Sequence, residues 1–440
     1  MDDELSIDRC TAEYKDLSER FKLKQRNYER QYAHVYSQRL ITLKPRVVQA
    51  AKNRWGEDIS IVRLFELESE KPCVVIGTLF KKMVLKPNIL KELCTEQGLL
   101  PQPVQTKYTD DSDVLILEDE LQRIVLEGDV DFGRVITGVV IAVKGVELDD
   151  KKGKFQVEDY CFVDLPPQAP LPEISKDRYL AVVSGFELNG KTDDLLSIEL
   201  FEDLLTGELG EEQQQRESAK IVRLVILGNS MSKTTKNKSQ FEQAKYLSKH
   251  TTAGSVDAIK SLDDILTQIV GSLDVDLMAG DQDPANYVLP QQPMHRCMFP
   301  QAMSYPTLHT VTNPYECSID NVQILFSSGE SLSDIYKYTS FDDRLEILEQ
   351  SLKWGHLTPT APDTLGCYPY YDEDPFIISQ CPHIYVVGNQ SEFGSKTFEG
   401  REGQKVCLVT LPKFSSTQTC ALINLRNLEI RPVKFNSSIS

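Results

Sequence analysis

Five short turns carry side chains whose types and spacing could do chemistry: Ser184-Gly185-Phe186, Gly228-Asn229-Ser230-Met231-Ser232, Gly280-Asp281-Gln282-Asp283, Thr312-Asn313-Pro314 and Gly388-Asn389-Gln390-Ser391. Each follows an apolar run, so each reads as the carboxyl end of a strand, where open α/β sheets place their ligands. Asp281 and Asp283 are the close carboxylate pair of this set. Two carboxylates alone cannot hold two cations, because their mutual repulsion needs offsetting by a bridging acid and several imidazoles. Turn formation after Gly280 is the simpler role for both. The six histidines, His34, His250, His295, His309, His356 and His383, stand away from the turn tips, with His309 and His383 just upstream of two of them. Ten cysteines are scattered from Cys10 to Cys420 without a CxxC pair, which gives neither zinc-ribbon spacing nor a dense disulfide framework and fits reduced thiols.

The elements that must position these turns alternate in type. Tyr179–Val183 reads as a strand, a helical stripe runs from Leu195 to Leu205, and Ile221–Leu227 is the next strand. A polar loop at Thr234–Lys238 precedes an amphipathic helix capped by Ser255, with Val256, Ile259, Leu262, Leu266 and Ile269 on one face. Val275–Met278 follows, and later strands are expected at Val311–Phe326, Ile384–Val387 and within Cys407–Phe435. Such alternation predicts a mostly parallel sheet with helices outside.

Upstream the rhythm is different. Cys73–Phe80, Val114–Leu117, Gln122–Gly128, Val135–Val143 and Lys154–Val163 read as strands with glycines placed for bends. A Greek-key barrel of the OB type suits this set; an immunoglobulin-like sandwich usually has more strands and a buried Trp, which this stretch lacks. A helix pair kinked near Pro45 and ending by Trp55 is expected before the barrel, with Tyr28, Tyr32, Val35, Tyr36 and Leu40 on its apolar stripe. The predicted organisation is an N-terminal helical segment (1–55), an OB-type domain (56–165), a Pro-rich linker (166–175) and an α/β domain (176–440). The fold class is thus multidomain, α+β and α/β.

Charge narrows the function. The formal net charge is −18, whereas nucleic-acid binding needs clustered Lys and Arg to release counterions. The basic stretch Arg20, Lys22, Lys24, Arg26, Arg30, Arg39, Lys44, Arg46, Lys52 and Arg54 reads as a solvated helix face complementing an acidic body. No run of about eighteen apolar residues predicts a membrane span, and the acidic Met1–Glu4 lacks the pattern of a secretory signal.

The order of the five turns resembles the calcineurin-like metallophosphoesterases, whose strands end in DxH, GDxxD, GNH with a following acid, a lone His, and GHxH around two metal ions. The resemblance implies that family's α/β sandwich with its ligands lost. Ser184 and Phe186 stand for the first Asp and His, Asn229 for the bridging Asp, and Ser232 near its second acid. Asp281 and Gln282 replace the Asn and His, Asn313 lies in the lone-His turn, and Asn389 and Ser391 occupy the last motif. No metal or other cofactor is expected.

Longer blocks, including Arg30–His34, Leu99–Pro103, Leu117–Ile124, Val157–Phe162, Leu289–His295, Cys297–Pro300, Val311–Tyr315, Thr360–Pro369 and Phe393–Lys396, are similar to the B subunits of eukaryotic replicative DNA polymerases, the polymerase delta branch above all. That resemblance implies a nuclear, non-catalytic scaffold in DNA replication and repair. Its partners would be the C-terminal domain of the polymerase delta catalytic subunit and the N-terminal domain of the third subunit. The polymerase zeta catalytic subunit is a further partner in some organisms; DNA would be contacted only indirectly, and membranes not at all. Alternatives are single-stranded-DNA binding by the barrel and residual phosphoesterase activity through Asp281 and Asp283. Pro290, Met298, Phe299, Tyr368 and Phe376 are candidate docking residues if exposed, or packing under a long loop if not.

Overall fold

The computed structural model describes residues 7–87, 105–149, 152–190, 195–233 and 254–435. The block Leu99–Pro103, the polar loop Thr234–Lys238 and the side chain of Ser255 lie outside these.

The chain begins with a short strand, β1 (Tyr14–Asp16), and enters α1 (Ala33–Trp55). The expected helix pair is one 23-residue helix with Pro45 inside it. Pro45 lies on the exposed side, where the carbonyl it leaves without an amide can turn to water. The buried stripe is Val35, Arg39, Leu40, Leu43, Val47 and Ala51, a 3.6-residue period with one arginine in it. Tyr28 and Tyr32, assigned to that stripe from sequence, precede the helix and are exposed.

Next come β2 (Ile61–Val62), β3 (Cys73–Lys82), β4 (Val114–Glu118), β5 (Arg123–Gly128), β6 (Val140–Glu147) and β7 (Lys154–Cys161). Their order is β2-β3-β4-β5-β7-β6, and β3 also pairs with β6, which closes a barrel. Strands β5 and β7 run parallel while β3–β4, β4–β5, β6–β7 and β3–β6 are antiparallel, the path of a five-stranded Greek-key barrel. Leu115, Leu117, Ile124 and Leu126 alternate inward. Val74, Ile76, Val140 and Ala142 point outward, where Leu40, Leu43, Val47 and Ala51 of α1 cover them. Both faces of β3 are therefore buried, which explains its unbroken apolar run. Val135–Val139 is not strand as expected: Gly138 holds φ +88° and turns the chain, so β6 starts at Val140.

The C-terminal lobe holds two six-stranded sheets rather than one parallel sheet. The first runs β11 (Leu308–Val311), β10 (Asp274–Met278), β9 (Ile221–Leu227), β8 (Tyr179–Val183), β17 (Thr419–Asn424) and β18 (Ile430–Lys434). The second runs β1, β12 (Tyr315–Ile319), β13 (Val322–Ser327), β14 (Ile384–Gln390), β16 (Lys405–Pro412) and β15 (Gly394–Glu399). Both are mixed: the first is parallel from β11 through β8 and antiparallel at β17 and β18, and the second has a parallel centre, β13-β14-β16, with antiparallel edges. They face each other across Leu180, Val182, Val225, Leu227, Ile324, Phe326, Val386 and Val409. Helices α2 (Leu196–Thr206), α3 (Glu212–Ser218) and α4 (Gly254–Val270) belong to the first sheet's side, where α2 and α4 share its outer core. Helices α5 (Glu330–Lys337) and α6 (Arg344–Trp354) cover the second sheet and share a core with the barrel interior.

The Pro-rich connection is strapped to this lobe instead of standing off as a spacer. Leu165 and Pro166 are buried, and Gln168 Nε2 donates to the Pro382 and Lys405 carbonyls at 2.9 and 2.7 Å. Among the described residues no helix is long and apolar enough to cross a membrane.

Candidate functional site

The five turns do converge. Gly388 at the end of β14 approaches so closely that an added Cβ would lie 2.8 Å from both Leu227 and Ser184, the tips of the facing sheet. Gly185, Gly228, Asn229 and Asn389 all hold positive φ, from 54° to 71°, a conformation that Gly and Asn adopt at least cost. The Gly-Asn pattern read from sequence is therefore a backbone requirement.

Neutral amides join these tips. Asn389 donates from Nδ2 to the Leu227 carbonyl at 2.9 Å and the Ser328 carbonyl at 2.8 Å, while its amide reaches Ser184 Oγ at 3.0 Å. Ser184 Oγ passes its own proton to the Pro412 carbonyl at 3.1 Å. Asn313 Nδ2 meets Gln291 Oε1, Ser328 Oγ and Glu330 Oε2 at 2.8, 2.6 and 3.2 Å. Asn229 Oδ1 accepts from the Gln282 amide at 3.1 Å, and Gln282 Nε2 donates to Glu187 Oε1 at 3.1 Å.

Two carboxylates are embedded here. Asp283 takes the Met231 and Gly280 amides at 2.9 Å each on its two oxygens, and burial pushes its pKa up to about 6 against those amides. Glu330 is likewise raised by burial, and hydrogen bonds from Ser328 and Asn313 oppose that shift. Glu187, closer to solvent, is held below the ordinary range: burial opposes this, but Lys413 at 2.6 Å, Ser415 and Gln282 outweigh it.

The other expected site residues are not drawn in. Phe186 packs against Phe414 and Phe201 as core, with ring centroids 5.5 and 6.1 Å away. Ser232 bonds through its backbone to Leu188, Asp281 faces outward with Lys233 Nζ at 3.8 Å, and Ser391 is exposed. His309 and His383 sit at the opposite ends of β11 and β14 from the tips. Gln291, Ser328, Glu330, Glu187 and Lys413 flank the tips without matching any motif, so no local signal marks them.

A two-metal centre does not fit these side chains. Metal binding needs converging carboxylates and imidazoles with free lone pairs, but the tips supply amides and a hydroxyl, and Asp283 has both oxygens on backbone amides. Among the described residues no three His, Cys, Asp or Glu side chains group as a metal site. Buried oxygens do remain without a partner at Ser230, Gln282, Glu330, Asn389 and Gln390, a polar setting that suits ordered water.

A fully buried ion pair lies elsewhere, under α1. Arg39 is fully buried and reaches across three segments. Its Nε donates to Asp374 Oδ2 at 2.7 Å, Nη1 to the Gly138 and Pro359 carbonyls at 3.1 and 2.8 Å, and Nη2 to the Ala361 carbonyl at 2.8 Å. His356 Nδ1 accepts the Thr358 amide at 3.1 Å, so the proton sits on Nε2, 2.9 Å from Asp374 Oδ2. Burial and the nearby Arg39 lower His356 to about 4 and keep it neutral. Burial would raise Asp374, but His356 and Arg39 more than offset that and hold it ionised. Gly138 permits the approach: an added Cβ would lie 1.9 Å from the Pro359 carbonyl oxygen.

Other members of the basic stretch also turn inward. Arg46 donates to the Ile378 and Asp164 carbonyls, and Arg20 to those of Pro375 and Ile377 beside Glu316. These arginines bind the barrel, α1 and the C-terminal lobe together, which corrects their reading as a solvated face. The docking candidates are also core. Phe299 and Phe376 are fully buried, Pro290 and Tyr368 buried and Met298 half-buried. Tyr368 Oη binds the Asn27 amide at 2.7 Å and the Gln25 carbonyl at 2.9 Å.

Comparison with known proteins decides the family. A family model described as DNA polymerase delta subunit OB-fold domain matches residues 31–160, and one described as the DNA polymerase alpha/epsilon B subunit matches residues 180–395. The DNA polymerase delta small subunit of rice is 39% identical over 98% of this chain and 99% of its own length. The chain belongs to the DNA polymerase delta small-subunit family. Within that family, Drosophila melanogaster DNA polymerase delta subunit 2 is 40% identical over 97% of this chain and 98% of its own. The Saccharomyces cerevisiae small subunit is 33% identical over 94% and 91%. The span matched by these relatives thus takes in barrel, linker and C-terminal lobe alike.

Proposed function

We propose that the chain is a non-catalytic scaffold of DNA polymerase delta in the nucleus, serving DNA replication and repair. It bridges the C-terminal domain of the catalytic subunit to the N-terminal domain of the third subunit, and engages the polymerase zeta catalytic subunit where the subunit is shared. The C-terminal lobe is a calcineurin-like sandwich whose phosphoesterase site is inactive. Two face-to-face mixed sheets with helices outside support that fold reading, as does the order of the Gly-Asn turns.

The observation that carries the function is the pairing of neutral strand tips with a charged clamp in a chain of this family. Amides stand where hydrolysis would need ligands, and buried guanidinium bonds hold barrel and lobe as one body. A bridging subunit needs such rigidity, because two partners can be held in fixed relation only by a support that does not flex between them.

The test is co-expression with the C-terminal domain of the catalytic subunit and the N-terminal domain of the third subunit. A stable ternary complex of equal stoichiometry, without stoichiometric metal in this chain and without turnover of phosphodiester model substrates, is the expected result. Failure of a well-folded chain to bind either domain would overturn the bridging role, and metal-dependent turnover would overturn the inactive site.

A further inference from the structure

The surface that runs along the first half of α1 gathers exposed apolar side chains beside guanidiniums that are unpaired among the described residues. Tyr28, Tyr32, Ile41, Leu121 and Tyr371 are all exposed there. Contacts with α1 and its surroundings line this surface: Tyr28 meets Tyr368 edge-on at 5.3 Å, Tyr371 lies 4.2 Å from the His34 ring and under Arg30, and Lys44 reaches Glu120 beside Leu121 at 3.7 Å. From Tyr32, the residue before the helix, this strip continues into a groove of about 540 Å³ between α1 and the barrel. Tyr36, Leu40, Phe80, Glu118, Glu120 and Asp363 line it.

The charges in the groove are already matched. Glu118 pairs with Arg123 at 3.3 Å, Glu120 with Lys44, and Asp363 with Lys86 at 2.6 Å. At the open end this stops. Arg26 and Arg30 form no ion pair among the described residues, Arg30 resting on the Tyr371 ring at 5.3 Å. Most other arginines near α1 are engaged in intramolecular carbonyl and carboxylate bonds, so these two guanidiniums stand out in a chain of net charge −18. Tyr and Arg are the side chains that most often anchor protein interfaces.

We infer that this strip is the docking site for an amphipathic segment of another subunit of the polymerase, with carboxylates facing Arg26 and Arg30 and aliphatic side chains seated over Tyr36 and Leu40. The inference rests on the scaffold reading above and assigns it a surface. Single-stranded nucleic acid fits less well. The Tyr371 ring has Arg30 over it and His34 packed beside it, leaving a poor platform for stacking, and the net charge of −18 opposes phosphate.

The experiment uses the full chain co-expressed with the catalytic and third subunits. A photo-crosslinking amino acid at Tyr32 reports the occupant by mass spectrometry, and the double variant Arg26→Glu, Arg30→Glu tests the charge. The expected result is an adduct on an acid-bearing segment of one other subunit. That subunit should also bind at least about tenfold more weakly to the charge-reversed chain, since like charges then face each other, with thermal melting unchanged. Ile41→Asp, which touches only the apolar half, should weaken the same subunit.

An adduct confined to this chain or to a second copy of it would overturn the inference. So would an adduct that forms only with an added oligothymidylate, or unchanged affinity of both variants. Should the unaltered chain fail to assemble at all, the scaffold reading fails; assembly that ignores both variants removes only the docking strip.

Discussion

The strand tips of the C-terminal lobe and the clamp under α1 are both buried polar networks, but they are built from opposite materials. The tips are held by Asn229, Asn313, Asn389 and Gln282, with a handful of buried oxygens still lacking a partner. The clamp is ionic: Arg39 donates to Asp374 and three carbonyls, and neutral His356 completes the carboxylate's shell. The clamp thus places a buried ion pair where barrel and lobe meet, whereas the tips are joined mainly by neutral amides around two embedded carboxyls. A buried ion pair adds little net stability compared with an apolar replacement, but breaking one is costly. Its effect here is to fix one relative placement of barrel and lobe, since four acceptors from three segments must be satisfied by one guanidinium.

Removing the clamp should give the largest effect. Arg39→Ala leaves Asp374 charged, buried and without its guanidinium, and is expected to destabilise the chain by about 3–5 kcal/mol. Urea unfolding should show this, with barrel and lobe losing their common transition. Arg39→Lys should recover only part of it, because an ammonium cannot reproduce the planar fork.

Placing charge at the tips tests the other half. Asn313→Asp replaces the donor to Glu330 with a second carboxylate and should cost about 2–3 kcal/mol at neutral pH. The penalty should shrink in mild acid as one carboxyl takes a proton. A variant as stable as the parent at pH 7 would show that the amide network does not require neutrality.

The two regions should also respond to pH in opposite directions. The unfolded chain protonates His356 near the ordinary histidine pKa of about 6.5, whereas the native state resists until about 4. The clamp therefore loses stability as pH falls across that window. Asp283 is raised to about 6, so the native state holds a proton that the unfolded chain releases near 3.9. Its contribution is complete below that value and is lost as pH rises through about 6. Melting temperatures between pH 4 and 7 should steepen one way in His356→Gln and the other way in Asp283→Asn. The smallest expected effect is Asn389→Gly, which keeps the positive φ but removes the bonds to Leu227 and Ser328, for about 1–2 kcal/mol by thermal unfolding.

Much of this architecture was legible before the structure. The barrel strands declared themselves through alternation and glycine spacing, and the tips through Gly-Asn pairs. The clamp was not legible, because Arg39 and Asp374 are 335 positions apart and nothing local marks an arginine as buried. It looked like one more cation on a basic helix. The second sheet was not legible in the alternation of strands and helices for a related reason, since pairing direction depends on distant strands; a sandwich was implied only by the family resemblance. One missed signal was local. Asp320 and Asn321 both hold positive φ, 49° and 65°, and the Asp-Asn pair between apolar alternations is the mark of a tight hairpin. Reading it separates β12 from β13 within Val311–Phe326.

Strand β1 pairs with β12, Asp16 lying opposite Cys317. On the ribosome, β1 must wait for its partner until some three hundred further residues have been added. At ordinary elongation rates that is roughly 15–60 s, during which the barrel can close but the second sheet lacks its edge. Folding of this chain is therefore not strictly vectorial: β1 finds its place only after β12 has been made.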